Sequence, residues 1–267
     1  MPGNDFTLMY ELIISSTKMD NFLIPFTYAF ALYAIRYFVL AGLSFAYSKS
    51  KHFVGSSRPH IVPPPEFSYT PHIQRELLNS LVTIIVFASV TGFLIGFDLI
   101  QHTQIYKDFN QYPVWWFVLS IILALLLFDT FFYWAHRLLH TKLFYPLHKL
   151  HHLSVYPSPF TSYSFFFGES LLDALIVVAI IFVLPMHPLA IFIYQTLSVA
   201  NIVYGHSSRE IMPAAILNSW FGQFLNTASL HAYHHYTEQT NYSAFFNIWD
   251  KWMGTLHPVS NQSDAID

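Results

Sequence analysis

Long apolar runs alternate with short polar stretches along this chain, and the runs come in two lengths. Phe22 to Tyr47 is apolar apart from Arg36, with Pro25 near its start. Leu78 to Leu99 carries no charge before Asp98. Trp115 to Trp134 is bracketed by Trp115/Trp116 and Tyr133/Trp134, the placement of interfacial aromatics. A hydrocarbon core of about 30 Å takes about 20 residues of helix, so residues 22–47, 78–99 and 115–134 are predicted to span a membrane. Arg36 is costly inside a span and is expected to snorkel or face another helix. Residues 1–21 read as a partly amphipathic lead-in. They have acids where a cleavable signal needs a basic region. Residues 48–77 read as a polar linker whose run PHIVPPPEF is too proline-rich for a helix. Residues 101–113 form a short loop.

The next run, Leu171 to Tyr204, is broken by Pro185-Met186-His187-Pro188. Each half is about 14–16 residues, roughly 21–24 Å of helix, which is short for a crossing. Two helices turning back at the break, a hairpin dipping into the bilayer, are predicted over 171–204. Lys49, Lys51, Arg58 and Arg75, with Arg137, Lys142, Lys149, Arg209 and Lys251, fall on one face, against Lys18 and Lys107 on the other. That bias marks the first face as cytoplasmic. The expected fold is an all-α integral membrane protein with about three transmembrane helices. A re-entrant or short transmembrane hairpin and a cytosolic helical cap complete it, residues 22–267 forming one domain.

Composition agrees with a single membrane body: 54% of residues are hydrophobic and 10% charged, against roughly 25% charged in soluble domains. A net charge of −3 gives no general attraction to nucleic acid. There is no cysteine, which excludes disulfides, thiolate-bound haem and cysteine-bound iron–sulfur clusters within this chain. Any metal must be held by nitrogen and oxygen, and histidine is in surplus at 15 copies.

Those histidines are clustered on the inferred cytoplasmic face: His136-Arg-Leu-Leu-His140, His148-Lys-Leu-His151-His152 and His231-Ala-Tyr-His234-His235. On a helix, residues three or four apart share a face, so each cluster presents two or three imidazoles in one direction. His206 follows the second helix of the hairpin and returns to the same side. A single crossing over 171–204 would instead strand His206 and the third cluster across the membrane. His52, His60, His72, His102 and His257 are isolated and read as surface histidines, and His187 as structural at the far end of the hairpin.

Imidazole suits iron, zinc, copper and nickel alike, but zinc sites saturate at four ligands and catalytic ones commonly use three. Eight or nine histidines therefore imply two ions, and a redox role fits better than hydrolysis. No HExxH motif is present, and no carboxylate lies within the clusters. A zinc-dependent membrane hydrolase acting on a lipid is the alternative. A transporter is disfavoured, because transport sites sit near the bilayer midplane.

From Asp129, in Phe-Asp-Thr-Phe-Phe-Tyr-Trp-Ala-His-Arg-Leu-Leu-His, through Asn241-Tyr242 and Trp249-Asp250-Lys-Trp-Met-Gly254 to Thr255, the chain resembles the fatty acid hydroxylase/sterol desaturase superfamily of histidine-box di-iron oxygenases. The resemblance covers about half the chain, 129–255. It implies His136, His140, His148, His151, His152, His206, His231, His234 and His235 as ligands of two iron ions, with zinc able to replace iron in purified protein. It also implies O2-dependent hydroxylation or desaturation of an aliphatic C–H of a lipid, in the endoplasmic reticulum or a bacterial inner membrane. Electrons would come from a separate donor, such as cytochrome b5 or ferredoxin with its reductase, since the chain shows no cytochrome b5-like domain. Sterol-modifying members often carry a further histidine, as His-Pro, before the hairpin. Here Ser164 to Glu169 has none, and in this the chain is similar to the alkylglycerol monooxygenase-like branch, as in Leu225-Asn226-Thr227.

Three carboxylates are candidates for orienting the ligands. Asp129, seven residues before His136, could accept a hydrogen bond from a ligand's second nitrogen. Glu169 and Asp173, four residues apart, have the same potential role or are acids favoured at a helix start. Phe165, Phe166 and Phe167 are expected to line an acyl channel or to face lipid.

Overall fold

A computed structural model describes residues 4–50, 67–207 and 209–257, with side chains from residue 19 onward. The helices are α1 (Asn4–Lys49), α2 (Tyr69–Gly96), α3 (Val114–Leu139), α4 (Tyr145–His152), α5 (Phe167–Val183), α6 (Pro188–Gly205), α7 (Ala214–Leu217), α8 (Ala228–Thr237) and α9 (Ile248–Met253). No strand forms among the described residues, which leaves an all-α protein.

Four helical segments are long and apolar enough to cross a membrane: Met19–Lys49, Tyr69–Gly96, Val114–Leu139 and Pro188–Gly205. Their outer faces carry large exposed apolar side chains, such as Ile35, Val118 and Phe192. Helices can do this in lipid because all their backbone groups are satisfied internally.

Besides a longer α3, the sequence boundaries shift in three places. Residues 4–21, read as a lead-in, belong to α1, and Pro25 lies inside that helix. Proline cannot donate to the carbonyl four residues earlier, which is that of Asn21. The α2 backbone closes on that carbonyl at Gly96, where a Cβ would come within 2.6 Å of the Asn21 oxygen. The second correction is that α2 starts at Tyr69, well inside the stretch read as linker. Its polar first turns can be helical because Glu76 is fully buried with hydroxyl partners. Residues 51–66, including most of the proline-rich run, lie outside the described residues. Finally, α5 and α6 are 17 and 18 residues long, roughly 26 Å each, so the hairpin is deeper than the sequence implies.

The hairpin does turn at the predicted break. Pro188 occupies the first turn of α6, and His187 Nδ1 accepts from Leu189 N at 3.1 Å. The turn is fastened to the far end of α3 and the preceding loop. Trp116 Nε1 donates to Pro185 O at 3.0 Å, and Tyr106 N to Met186 O at 3.2 Å. The His187 ring packs 4.1 Å from that of Phe109. Its structural reading therefore fits its surroundings.

Two apolar cores hold the bundle. One joins α3, α5 and α6 through Ala124, Phe128, Ile180, Met186 and Tyr194. The other joins α1, α2 and α6 to residues 159–165 through Tyr37, Ile84, Tyr163, Phe165 and Val199. Tyr37 stacks on Tyr163 at 4.8 Å and bonds to Ser80 at 2.8 Å. These contacts bring the C-terminal ends of α1, α3 and α6, the N-terminal ends of α2 and α5, and the short helices α4 and α8 to one end of the molecule.

Candidate metal centre

At that end, α3 runs past its expected stop at residue 134 and carries His136 on its last turns, with His140 capping it. Helix α4 starts with Pro146 in its first turn, where proline's missing N–H costs nothing. It presents His148, His151 and His152. Helix α8 is capped by Thr227, whose Oγ1 accepts from Leu230 N at 3.2 Å, and presents His231, His234 and His235. His206 caps α6.

The structure brings all nine histidines together, in two groups. His136, His140, His148, His152 and His234 form one; His151, His206, His231 and His235 form the other. Within each, the nearest ligand atoms lie within 4.8 Å of one another. All except His140 are buried. The α4 helix serves both groups, because His148 and His152 are one turn apart while His151 points a third of a turn away. His72, His102, His187 and His257 lie apart from the groups, and His52 and His60 lie outside the described residues.

Hydrogen bonding fixes which nitrogen is available. The Nδ1 atoms of His136, His206 and His234 lie 2.7, 2.8 and 2.6 Å from the carbonyl oxygens of Tyr242, Ile202 and Thr240. A carbonyl only accepts, so each Nδ1 carries the proton and each Nε2 keeps its lone pair. Yet His136 Nε2 lies 3.0 Å from His148 Nε2 and 3.3 Å from His140 Nε2. Likewise His206 Nε2 lies 3.2 Å from His151 Nε2 and 3.0 Å from His231 Nε2. One lone pair can accept one hydrogen, but each is met by two ring nitrogens. Nitrogens about 2.1 Å from a shared ion and at right angles around it would sit about 3.0 Å apart. The spacing fits a metal in each group. The buried His234 Nε2, and both ring nitrogens of His235, have no protein partner at all.

Electrostatics favours the same state. Burial first, and neighbouring imidazoles second, hold His148, His152, His234 and His235 well below the ordinary histidine range, and burial pulls His206 down to about 4. Unprotonated rings are the form that binds metal.

The three candidate carboxylates divide. Glu169 Oε1 accepts from His148 Nδ1 at 2.7 Å, so it orients a candidate ligand in addition to starting α5. Asp173 does not reach a histidine; one turn deeper along α5, about 6 Å, it lines a cavity instead. Asp129 does not orient a ligand either. Its Oδ1 accepts from Phe245 N at 2.7 Å and Phe246 N at 3.3 Å. The backbone amides of the returning turn reach it first, while His136 finds the carbonyl of Tyr242.

Sequence reasoning missed four further carboxylates. Glu76 accepts from Ser154, Ser158 and Thr161 at 2.7, 2.6 and 2.9 Å, fastening the chain beyond His152 to α2. Glu210 accepts from Tyr204 Oη at 2.6 Å and Ser229 Oγ at 3.2 Å, joining the end of α6 to the start of α8. Asp250 accepts from Tyr242 N and Ser243 N, both at 2.9 Å, and from Thr255 Oγ1 at 2.7 Å. It thereby fixes the carbonyl that orients His136; Gly254, at φ +69°, turns the chain back to make this possible. Glu238 accepts from Tyr145 Oη at 2.6 Å. The available signal was the rarity of acids in a chain poor in charge.

A family model described as fatty acid hydroxylase matches residues 121–255, just over half of the chain. The chain belongs to the fatty acid hydroxylase/sterol desaturase superfamily. Among curated members of this superfamily, lathosterol oxidase of Rattus norvegicus is 29% identical over 193 residues, covering 70% of this chain and 62% of that protein. The human lathosterol oxidase is 28% identical, with 71% and 62% covered. A Delta(7)-sterol 5(6)-desaturase of Gibberella zeae is 27% identical, with 92% and 67% covered. The chain thus spans about three fifths of the length of the lathosterol oxidases. No solved structure gives a significant match. The names of these relatives are sterol names, and they lend no support to the alkylglycerol monooxygenase-like branch suggested by residues 164–169.

Proposed function

We propose that the nine histidines hold two iron ions, one per group, and that the protein hydroxylates or desaturates an aliphatic C–H of a lipid with O2. The observation that carries this reading is the convergence of lone-pair-bearing Nε2 atoms in two adjacent groups. Iron bound there supplies O2 reduction and C–H cleavage. The chain's own residues do the rest: Glu169 and the carbonyls of Tyr242, Thr240 and Ile202 hold ring protons at Nδ1 and aim Nε2 inward, the role such outer partners play in metal sites.

A place for the lipid adjoins the centre. A largely apolar cavity of about 990 Å³ lies between α1, α2, α5 and α6. Phe165 belongs to its wall and packs with its ring 5.0 Å from that of His151, while Phe166 and Phe167 are exposed on the surface. A C–H held in the cavity near Phe165 would sit beside the second histidine group, which supplies the positioning that such chemistry needs. Hydroxylation consumes O2, two electrons and two protons and releases water; desaturation consumes the same and releases a second water. The electrons require a separate donor, such as cytochrome b5 or ferredoxin with its reductase. Lys142 and Lys149 are exposed on the histidine end. The basic bias supports a cytoplasmic position for this end, in a protein of the endoplasmic reticulum or a bacterial inner membrane. Sterols are the substrate class named by the relatives.

The test is metal analysis of anaerobically purified protein, joined to lipid profiling of cells with and without it. Two irons per chain and O2- and reductant-dependent product are expected. Turnover without O2 or reductant, with zinc bound, would replace this reading with the hydrolase.

A further inference from the structure

Arg36, near the middle of the Met19–Lys49 span, forms part of the cavity wall and is only 6% exposed. Its Nη1 donates to Gln195 Oε1 on α6 at 3.0 Å. The guanidinium carbon lies over the rings of Phe192 and Tyr33, 5.1 and 5.7 Å from their centroids. Its Nε and Nη2 are buried and have no partner, and among the described residues no carboxylate forms an ion pair with it. An unpaired cation inside a membrane helix is strongly unfavourable and marks a functional site by default. The two idle nitrogens are not arbitrary. Nε and Nη2 form the side-on edge of the guanidinium, which meets a carboxylate through two parallel N–H···O bonds.

We propose that Arg36, held in place by Gln195, is the polar-end subsite of the cavity and takes the carboxylate of a lipid. This rests on reading the cavity as the substrate site. Gln195 precedes His206 by eleven residues of α6, or about 16 Å along the axis. A lipid anchored by its carboxylate at Arg36 therefore presents a carbon remote from that group to the histidines. Asp173 lines the same cavity nearer the histidine end, one turn from Glu169. The cation–π contacts offer no hydrogen-bond acceptor, so Nε and Nη2 stay without one.

The test uses the full chain in nanodiscs of neutral lipid, with metal removed, and measures binding of oleate, oleyl alcohol and a 3-hydroxysterol. Oleate should bind at least tenfold more tightly than oleyl alcohol. Arg36→Met should erase that advantage and leave the alcohol unchanged. Arg36→Lys, which keeps the charge but not the fork, should lose most of it and covers the case in which Arg36→Met does not fold. An oleate advantage that is absent, or that survives in both variants, overturns the subsite, as does Arg36-dependent binding of the sterol alone. Failure here is separable from failure of the oxygenase reading. Oleate bound through Arg36 but untouched by iron-loaded, reduced protein with O2 sinks the oxygenase reading on this lipid class. Oxidation of a neutral lipid with oleate ignored sinks the subsite.

Discussion

The two histidine groups are held by different means. In the five-membered group, His136, His148 and His234 each place Nδ1 on an oxygen, from Tyr242, Glu169 and Thr240. In the four-membered group His206 has such an anchor, on Ile202, while His151 Nδ1 and His235 Nδ1 are buried without one, against His152 Nδ1 alone in the five-membered group. The second group is set by packing instead. His151 lies against Phe165 at 5.0 Å, and His206 against His231 at 4.3 Å. Hydrogen bonds fix both the tautomer and the ring direction, whereas packing fixes direction alone. On the proposed reading, the first group is more fully oriented without metal, and the second would depend more on it. It is also the group beside the cavity, through the contact of His151 with Phe165.

The largest expected effects separate the groups. His148→Ala should empty the five-membered group and His151→Ala the four-membered one, each losing one metal per chain and nearly all turnover. Metal counts on both purified variants check this, and retention of two metals by either would break the division. Next comes Asp250→Ala, which strands two buried backbone N–H groups at about 1–3 kcal/mol each. A lower melting temperature is expected, with metal loss confined to the five-membered group. Glu169→Gln keeps the volume and weakens only the partner of His148. Its expected cost is roughly 10–100-fold in metal affinity, readable by competition with a chelator, with the four-membered group unaffected.

The pH effect is smaller and of fixed sign. In the metal-free protein, burial holds His206 at about 4 against an ordinary value of 6.5. The unfolded chain therefore binds more protons between these values, and stability falls as pH drops from about 6.5 toward 4. Melting of metal-stripped protein at pH 7 and pH 5 measures it; equal melting at the two would show the histidines to be solvated. Gly205→Ala should matter least. A Cβ there meets His231 at an ordinary 3.6 Å, so metal content is expected to stay unchanged.

The apolar runs and the PMHP break were readable because lipid leaves few alternatives: twenty apolar residues without charge must form a helix. The starts of α1 and α2 were not. Pro25 and the polar residues 69–77 argue locally against helix, and only contacts distant in sequence, at Gly96 and at Ser154, Ser158 and Thr161, reverse that. Among the carboxylates, Glu169 was visible as a candidate through its closeness to the clusters. Asp129 was misplaced because helical spacing gives a face and not the turn that packs on it.

By itself the sequence determined that nine histidines share one end of a membrane helical body, because their spacing and the hairpin follow from periodicities of the chain. The tertiary structure decided how they divide, which ring nitrogen each offers and that Arg36 stands unpaired in a cavity wall. Those depend on angles within a helical turn and on partners up to more than a hundred residues away, as for Asp129 with Phe245 and Phe246, and no local pattern encodes them.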